Sequence, residues 1–317
     1  WQLGALSETA ARIEAAGRIN DSMKGKLVFG FNRATGQAAI EDAVLDWAVF
    51  DDLILTAGQF KLPFGREELV SSKRQLFPER SPVNKTVGQS RGQGVQIAYQ
   101  ADAWRAAAAF SDGFATENTA SDSDDEADYA LTARAEFKFG DADWKAFDQF
   151  TSFRAGPEGV LVGAAAHWQS AGDTNPSLPD DSELFGLTAD VSVLGGGWNA
   201  FASGVWLSTD DGADDFDDFG LVVQGGVFFT DRLEGIARWS SVFADGDRAN
   251  GDDYSDLALG VNYYIVPESH AAKFTAAVVY SFDATTDSVV ATSTGHNLLP
   301  DSEDGQIALT FQLQLLF

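Results

Sequence analysis

The residues best suited to act on something outside the chain are its cations, because they are scarce and gathered. The 317 residues hold 21 Lys and Arg against 48 Asp and Glu. Seven of those cations, Lys61, Arg66, Lys73, Arg74, Arg80, Lys85 and Arg91, fall in one stretch where only Glu67, Glu68 and Glu79 oppose them. Residues 61 to 91 are therefore net positive within a chain of net charge -27. Wherever such a stretch borders a passage it concentrates anions and rejects cations. The second candidate is a run of carboxylates, Asp210, Asp211, Asp214, Asp215, Asp217 and Asp218. Hard cations such as Ca2+ take several carboxylate oxygens at once, although the spacing here is not that of an EF-hand loop. Covalent chemistry has less to build on. His167, His270 and His296 fall in a strand, a short turn and a long loop, and there is no cysteine. No nucleophile elbow and no phosphate-cradling glycine loop is present, so the reading is of a protein without catalytic residues or a resident cofactor. The acid excess also excludes a nucleic-acid backbone as partner.

Charges need elements to hold them, and the elements written into this chain are strands. Leu27, Phe29 and Phe31 share one parity while Lys24, Lys26 and Asn32 hold the other. The C-terminal segment repeats the pattern, with Ile307, Leu309, Phe311, Leu313, Leu315 and Phe317 against Gln306, Thr310, Gln312 and Gln314. Alternation of this kind predicts strands with two unlike faces. It recurs near residues 8–19, 22–33, 38–50, 52–60, 92–100, 103–112, 128–139, 159–170, 184–194, 197–208, 217–230, 232–244, 254–265, 271–283 and 305–317. Short connections such as 51–52, 101–102, 195–196 and 230–231 alternate with long polar ones, and 140–158 is the one short-side connection that is long. Residues 1 to 6 then supply the end of a further strand, for an even total of sixteen.

Short turns on one rim and long loops on the other are the pattern of a transmembrane antiparallel barrel, with short periplasmic turns and long extracellular loops. A sixteen-stranded interior is too wide for wall side chains to fill, so the apolar parity must face lipid. A membrane helix is excluded, because no run approaches the roughly 18 to 20 apolar residues it needs. Aromatics near strand ends, among them Trp47, Tyr99, Trp168, Trp198, Trp206, Trp239, Tyr263 and Phe282, are read as interfacial girdles. The other parity lines a lumen and carries Arg12, Arg18, Lys24, Lys26, Arg105, Arg134, Lys138 and Arg238, with Glu14, Asp42, Asp46, Glu136 and Glu234 among them. The 61–91 connection is long enough to fold into that lumen and narrow it. Half of the acids sit on the long-loop side, which parity places outside the cell.

Residues 58 to 84, GQFKLPFGREELVSSKRQLFPERSPVN, closely resemble the segment after an early strand in the phosphate-selective porin O and P family. ALGVNYYIV, residues 258 to 266, is similar to a late strand of that family, and Phe317 resembles the terminal assembly signal of outer-membrane barrels. The resemblance implies a single-domain, sixteen-stranded, homotrimeric outer-membrane channel for small solutes, with an inward loop. The arginine ladder and lysine cluster of the family's named members have no residue-by-residue counterpart here, so phosphate selectivity does not carry over. A general-diffusion porin preferring small anions is the resulting expectation, its partners being outer-membrane lipid, copies of itself and the permeating ions. Two other readings stay open: a channel leaning towards cations because acidic loops crowd its mouth, and a structural anchor whose upstream segment contacts the cell wall or surface layer.

Overall fold

The computed structural model describes residues 11–31, 36–88, 90–114, 116–120, 126–170, 182–210, 212, 214–248, 251–285, 288–290 and 304–317. Fifteen strands run through these residues: β1 (Ala11–Arg18), β2 (Met23–Phe31), β3 (Ala38–Phe50), β4 (Leu53–Lys61), β5 (Arg91–Gln100), β6 (Trp104–Ser111), β7 (Tyr129–Gly140), β8 (Glu158–Ser170), β9 (Glu183–Gly195), β10 (Trp198–Asp210), β11 (Asp215–Phe228), β12 (Leu233–Phe243), β13 (Tyr254–Tyr264), β14 (Ala272–Ser281) and β15 (Ile307–Leu315). Each pairs antiparallel with its sequence neighbours in one sheet, ordered β1 to β15. These bounds fall within a few residues of those the alternation predicts. The stretch 1–6, expected to complete a sixteenth strand, lies outside the described residues, as does His296.

The wall curls until its two ends meet at one residue. Lys73 Nζ donates to Glu14 of β1 at 3.1 Å, and the Lys73 carbonyl accepts from Gln314 Nε2 of β15 at 3.0 Å. The apolar parity faces outward: Leu131, Phe137, Leu187, Phe219, Val223, Leu309 and Leu313 are all exposed. That is the surface a bilayer covers, and the rings near the strand ends, such as Trp47, Trp198 and Tyr263, stand on it. No helix among the described residues is long and apolar enough to cross a membrane, a test that does not bear on strands.

The inward parity is not uniformly wet. The β4–β5 connection enters the barrel and carries α1 (Arg66–Leu69) and α2 (Pro82–Thr86). Its Phe64, Val70, Leu76, Phe77, Val83 and Val87 form one buried apolar cluster with wall residues that include Phe201, Val222, Ile236 and Ala258. Ser81 caps α2 by accepting from the Asn84 amide at 3.1 Å, and Pro82 takes the first turn, where a missing N–H costs nothing. Helix α2 then sits on Gly220 of β11; a Cβ there would lie 2.5 Å from Val83. From the opposite rim, the β7–β8 connection also turns inward and buries Phe147, Phe150 and Phe153. Phe150 joins the same cluster, its ring 4.7 Å from Phe201.

Candidate functional site

Three ion-pair networks organise the lumen-facing charges. In the first, Arg12 reaches Glu41 at 2.5 Å, Arg91 joins Glu41 at 3.4 Å and Asp42 at 2.7 Å, and Lys26 meets Asp42 at 2.8 Å. In the second, Lys61 and Arg80 share Glu68 at 3.3 Å and 3.1 Å. In the third, Arg134 holds Asp190 at 2.8 Å and Glu136 at 2.9 Å, while Arg66 lies 3.5 Å from Glu136 and Arg105 donates to it as well. The third depends on Gly163 of β8, over which the guanidinium of Arg134 lies; a Cβ would come within 2.3 Å of it. Each network holds one cation more than it has carboxylates.

The seven loop cations thus divide among several partners and form no single ring. Lys73 pairs with Glu14, Arg74 with Asp148 at 3.7 Å, and Lys85 with Glu79 at 3.3 Å. Arg66 does not line open space: it is 2 % exposed and donates to Ser192 at 2.9 Å and to the Phe147 carbonyl. Burial lowers its pKa to about 10, which leaves it a cation at neutral pH. Arg134 and Arg238, expected along a wet wall, are sealed beneath the loop. Their partners offset the cost of leaving water, since a buried charge without a counter-group is far more expensive than a paired one. Arg238 lies 3.9 Å from Glu67 and stacks on Phe77.

The loop is also held through its carbonyls. Arg134 donates to Phe64, Arg238 to Glu79, Asn262 to Leu76 and Lys273 to Gln75, all between 2.8 and 3.0 Å. With Gln314 on Lys73, side chains from five strands fix one segment.

The remaining wall cations fare differently. Arg105 stacks 4.6 Å above Trp144, with Lys138 at 5.8 Å from the same ring. Asp46 accepts from the Thr56 hydroxyl at 2.7 Å. Arg18 and Lys24 are exposed and stand opposite each other in the β1–β2 register. Neither has a carboxylate within ion-pair distance among the described residues. His167 is buried between Thr132 and Gln169, a wall residue without access to solute.

The carboxylate run does not converge as a calcium cage would. Strand alternation places Asp215 and Asp217 on one face of β11 and buries Asp218 on the other, where it pairs with Arg248 at 2.7 Å. Asp217 accepts from the Trp206 indole, and Asp210 from the Gly212 amide. Asp214 is exposed, and Asp211 lies outside the described residues. Among the described residues no group of three or more acids, histidines or cysteines is placed to hold a metal.

Sequence reasoning named Glu68 as an opposing acid but missed Glu41 and Asp190, which organise the other two networks, and the inward turn of 141–157. For that turn a signal existed: Phe147, Phe150 and Phe153 recur every three residues in a connection too long for its rim.

A profile of the family described as phosphate-selective porin O and P matches residues 9–317. No curated protein gives a significant match. Among solved structures, the chain resembles the anion-selective porin from Comamonas acidovorans, with TM-score 0.62 and 12 % identity over 96 % of this chain and 88 % of that one. It also resembles OmpT lacking loop L8, an outer membrane protein of Vibrio cholerae, with TM-score 0.60 and 15 % identity over 96 % and 90 %. Pseudomonas putida OprB gives 0.58 and 10 % over 95 % and 85 %. At these identities the likeness is one of fold.

Proposed function

The chain belongs to the phosphate-selective porin O and P family, and from that premise we propose that this outer-membrane porin is a non-enzymatic, homotrimeric diffusion channel that prefers small anions. The observation that carries the preference is the imbalance inside the barrel. Two networks hold three cations to two carboxylates, the other holds two to one, and Arg18 and Lys24 add two cations against the single carboxylate Asp46 in register with Lys24. This positive lining belongs to a chain of net charge -27, whose acids are concentrated in the long loops. In a narrow passage with low-dielectric walls the lining field governs which ions enter, and distant loop charge is screened over about 8 to 10 Å. Trimerisation draws support from the family and from OmpT of Vibrio cholerae, one structure of which is of a trimer form.

Reversal potentials across a planar bilayer in a potassium chloride gradient test the reading. Chloride preference is the expected result. A potassium preference that persists after the outer-loop aspartates are neutralised overturns it, and one that disappears assigns selectivity to the acidic mouth.

A further inference from the structure

The inward-facing rows of the barrel differ from one side to the other. On β8, β9, β12 and β14 every described inward residue is buried, from Leu161 through Asp190 and Ile236 to Val279. On β1 every residue is exposed, and along β15 the inward residues remain half-exposed. The same division separates the ion pairs. The side chains of Arg12, Glu14, Lys26 and Lys73 keep between 37 % and 47 % of their surface and their neighbours Glu41, Arg91 and Asp42 between 11 % and 19 %, whereas those of Arg66, Arg134, Glu136 and Asp190 keep 4 % or less. Loop and β7–β8 connection together fill one sector, and the loop touches the other at Ser72 and Lys73, leaving the rest of it to water.

Within the open sector one pair stands apart. Arg18 and Lys24 face each other directly across β1 and β2 at the short-turn rim, an arrangement that like charges disfavour. Asp46, in register with Lys24 on β3, is hydrogen-bonded to Thr56 instead. In a chain with more than twice as many acids as bases, this pair has no carboxylate within ion-pair distance among the described residues, where solute must leave the barrel.

We propose that the conducting path is off-centre, running along the inner faces of β1, β2, β3 and β15, and that Arg18 and Lys24 set anion preference at its periplasmic exit. This rests on the porin reading above and adds to it where the water is and which two residues select. Neither the loop cations buried with Arg66 nor the walls of β8 to β14 touch the solute.

The absence of cysteine makes the path directly testable. Ala16→Cys places a thiol on the open inner face of β1, and Ala258→Cys and Ala277→Cys place it on inner faces beneath the loop. Purified trimers are treated with the anionic reagent 2-sulfonatoethyl methanethiosulfonate, modification is followed by mass, and single-channel current is recorded. The Ala16→Cys channel is expected to label fully and lose roughly half its chloride current or more, and the other two to remain unlabelled with unchanged current. Labelling and block at Ala258→Cys or Ala277→Cys, or full labelling of Ala16→Cys with unchanged current, overturns the path. For the exit pair, Arg18→Glu with Lys24→Glu is expected to reverse the ion preference while Arg18→Lys keeps it; an unmoved reversal potential in the double variant overturns the pair's role. Cation preference in the unsubstituted channel defeats the anion reading, whereas the labelling pattern alone decides the path, so the two failures are distinguishable.

Discussion

Two sectors of one barrel wall, built from strands of the same period, end in opposite states. Beneath the loop, on β8, β9, β12 and β14, inward residues are sealed, and the wall from β8 to β14 shares an apolar cluster with the loop that a soluble protein would call its core. Around β1 the inward residues are wet and charged. The difference lies in what lies against the strands rather than in the strands themselves: a connection 29 residues long, 62–90, packs its apolar residues on one side and touches β1 and β15 through Ser72 and Lys73. Ion pairs in the two sectors therefore do different work. A sealed pair such as Arg134 with Asp190 fixes structure, because either partner alone is a buried uncompensated charge. An open pair such as Lys73 with Glu14 adds little to stability and much to the field that a passing ion meets.

The sharpest way to break this contrast is to remove a cation from the sealed side. Arg134→Met leaves Glu136 and Asp190 buried with less compensation, and a loss of about 3 to 5 kcal/mol is expected, read as a fall in the temperature at which the folded barrel band disappears on a gel. Phe150→Ala comes next. Truncating a ring packed on Phe201 costs about 3 kcal/mol and loosens the loop from below, so single-channel current should become noisier and larger.

Acid should act on the sealed side as well. His270, in the β13–β14 turn, packs against Phe153 and Tyr264, and burial lowers its pKa to about 3. An unfolded turn takes up a proton as pH falls below about 6.5 while the folded turn does not, so stability is expected to decline between pH 6.5 and 3. His270→Gln should flatten that part of the pH–stability curve; an unchanged slope would show that other groups govern it. The smallest structural effect belongs to the open sector. Lys26→Gln should cost under about 1 kcal/mol, yet lower the chloride preference measurably, and more so in dilute salt.

Strand positions were legible because each residue's exposure follows from its parity, and parity is written in the order of residues. The sector boundary was not. Glu14 and Glu136 read alike in sequence, both on the lumen parity and both paired with a loop cation, yet one is wet and the other sealed. Only the three-dimensional course of the loop distinguishes them. Glu41 escaped for a more local reason. Its parity is that of the outward Ala43 and Leu45, but the β2–β3 ladder shifts register between Val28 and Phe29, and the bulge re-aims Glu41 towards Arg12 and Arg91. The loop's positive charge was legible as composition. Its neutralisation was legible only in part, since Glu68 and Glu79 lie within the loop but Glu136 and Asp148 lie far from it in sequence.

The account stands on water remaining continuous past an inward loop that seals half of the wall. Single-channel recording of the purified protein, with neutral polymers of graded size added to one side, tests this most directly. A steady open current is expected, reduced by polymers small enough to enter and untouched by larger ones. A barrel that inserts into the bilayer and stays electrically silent would contradict it.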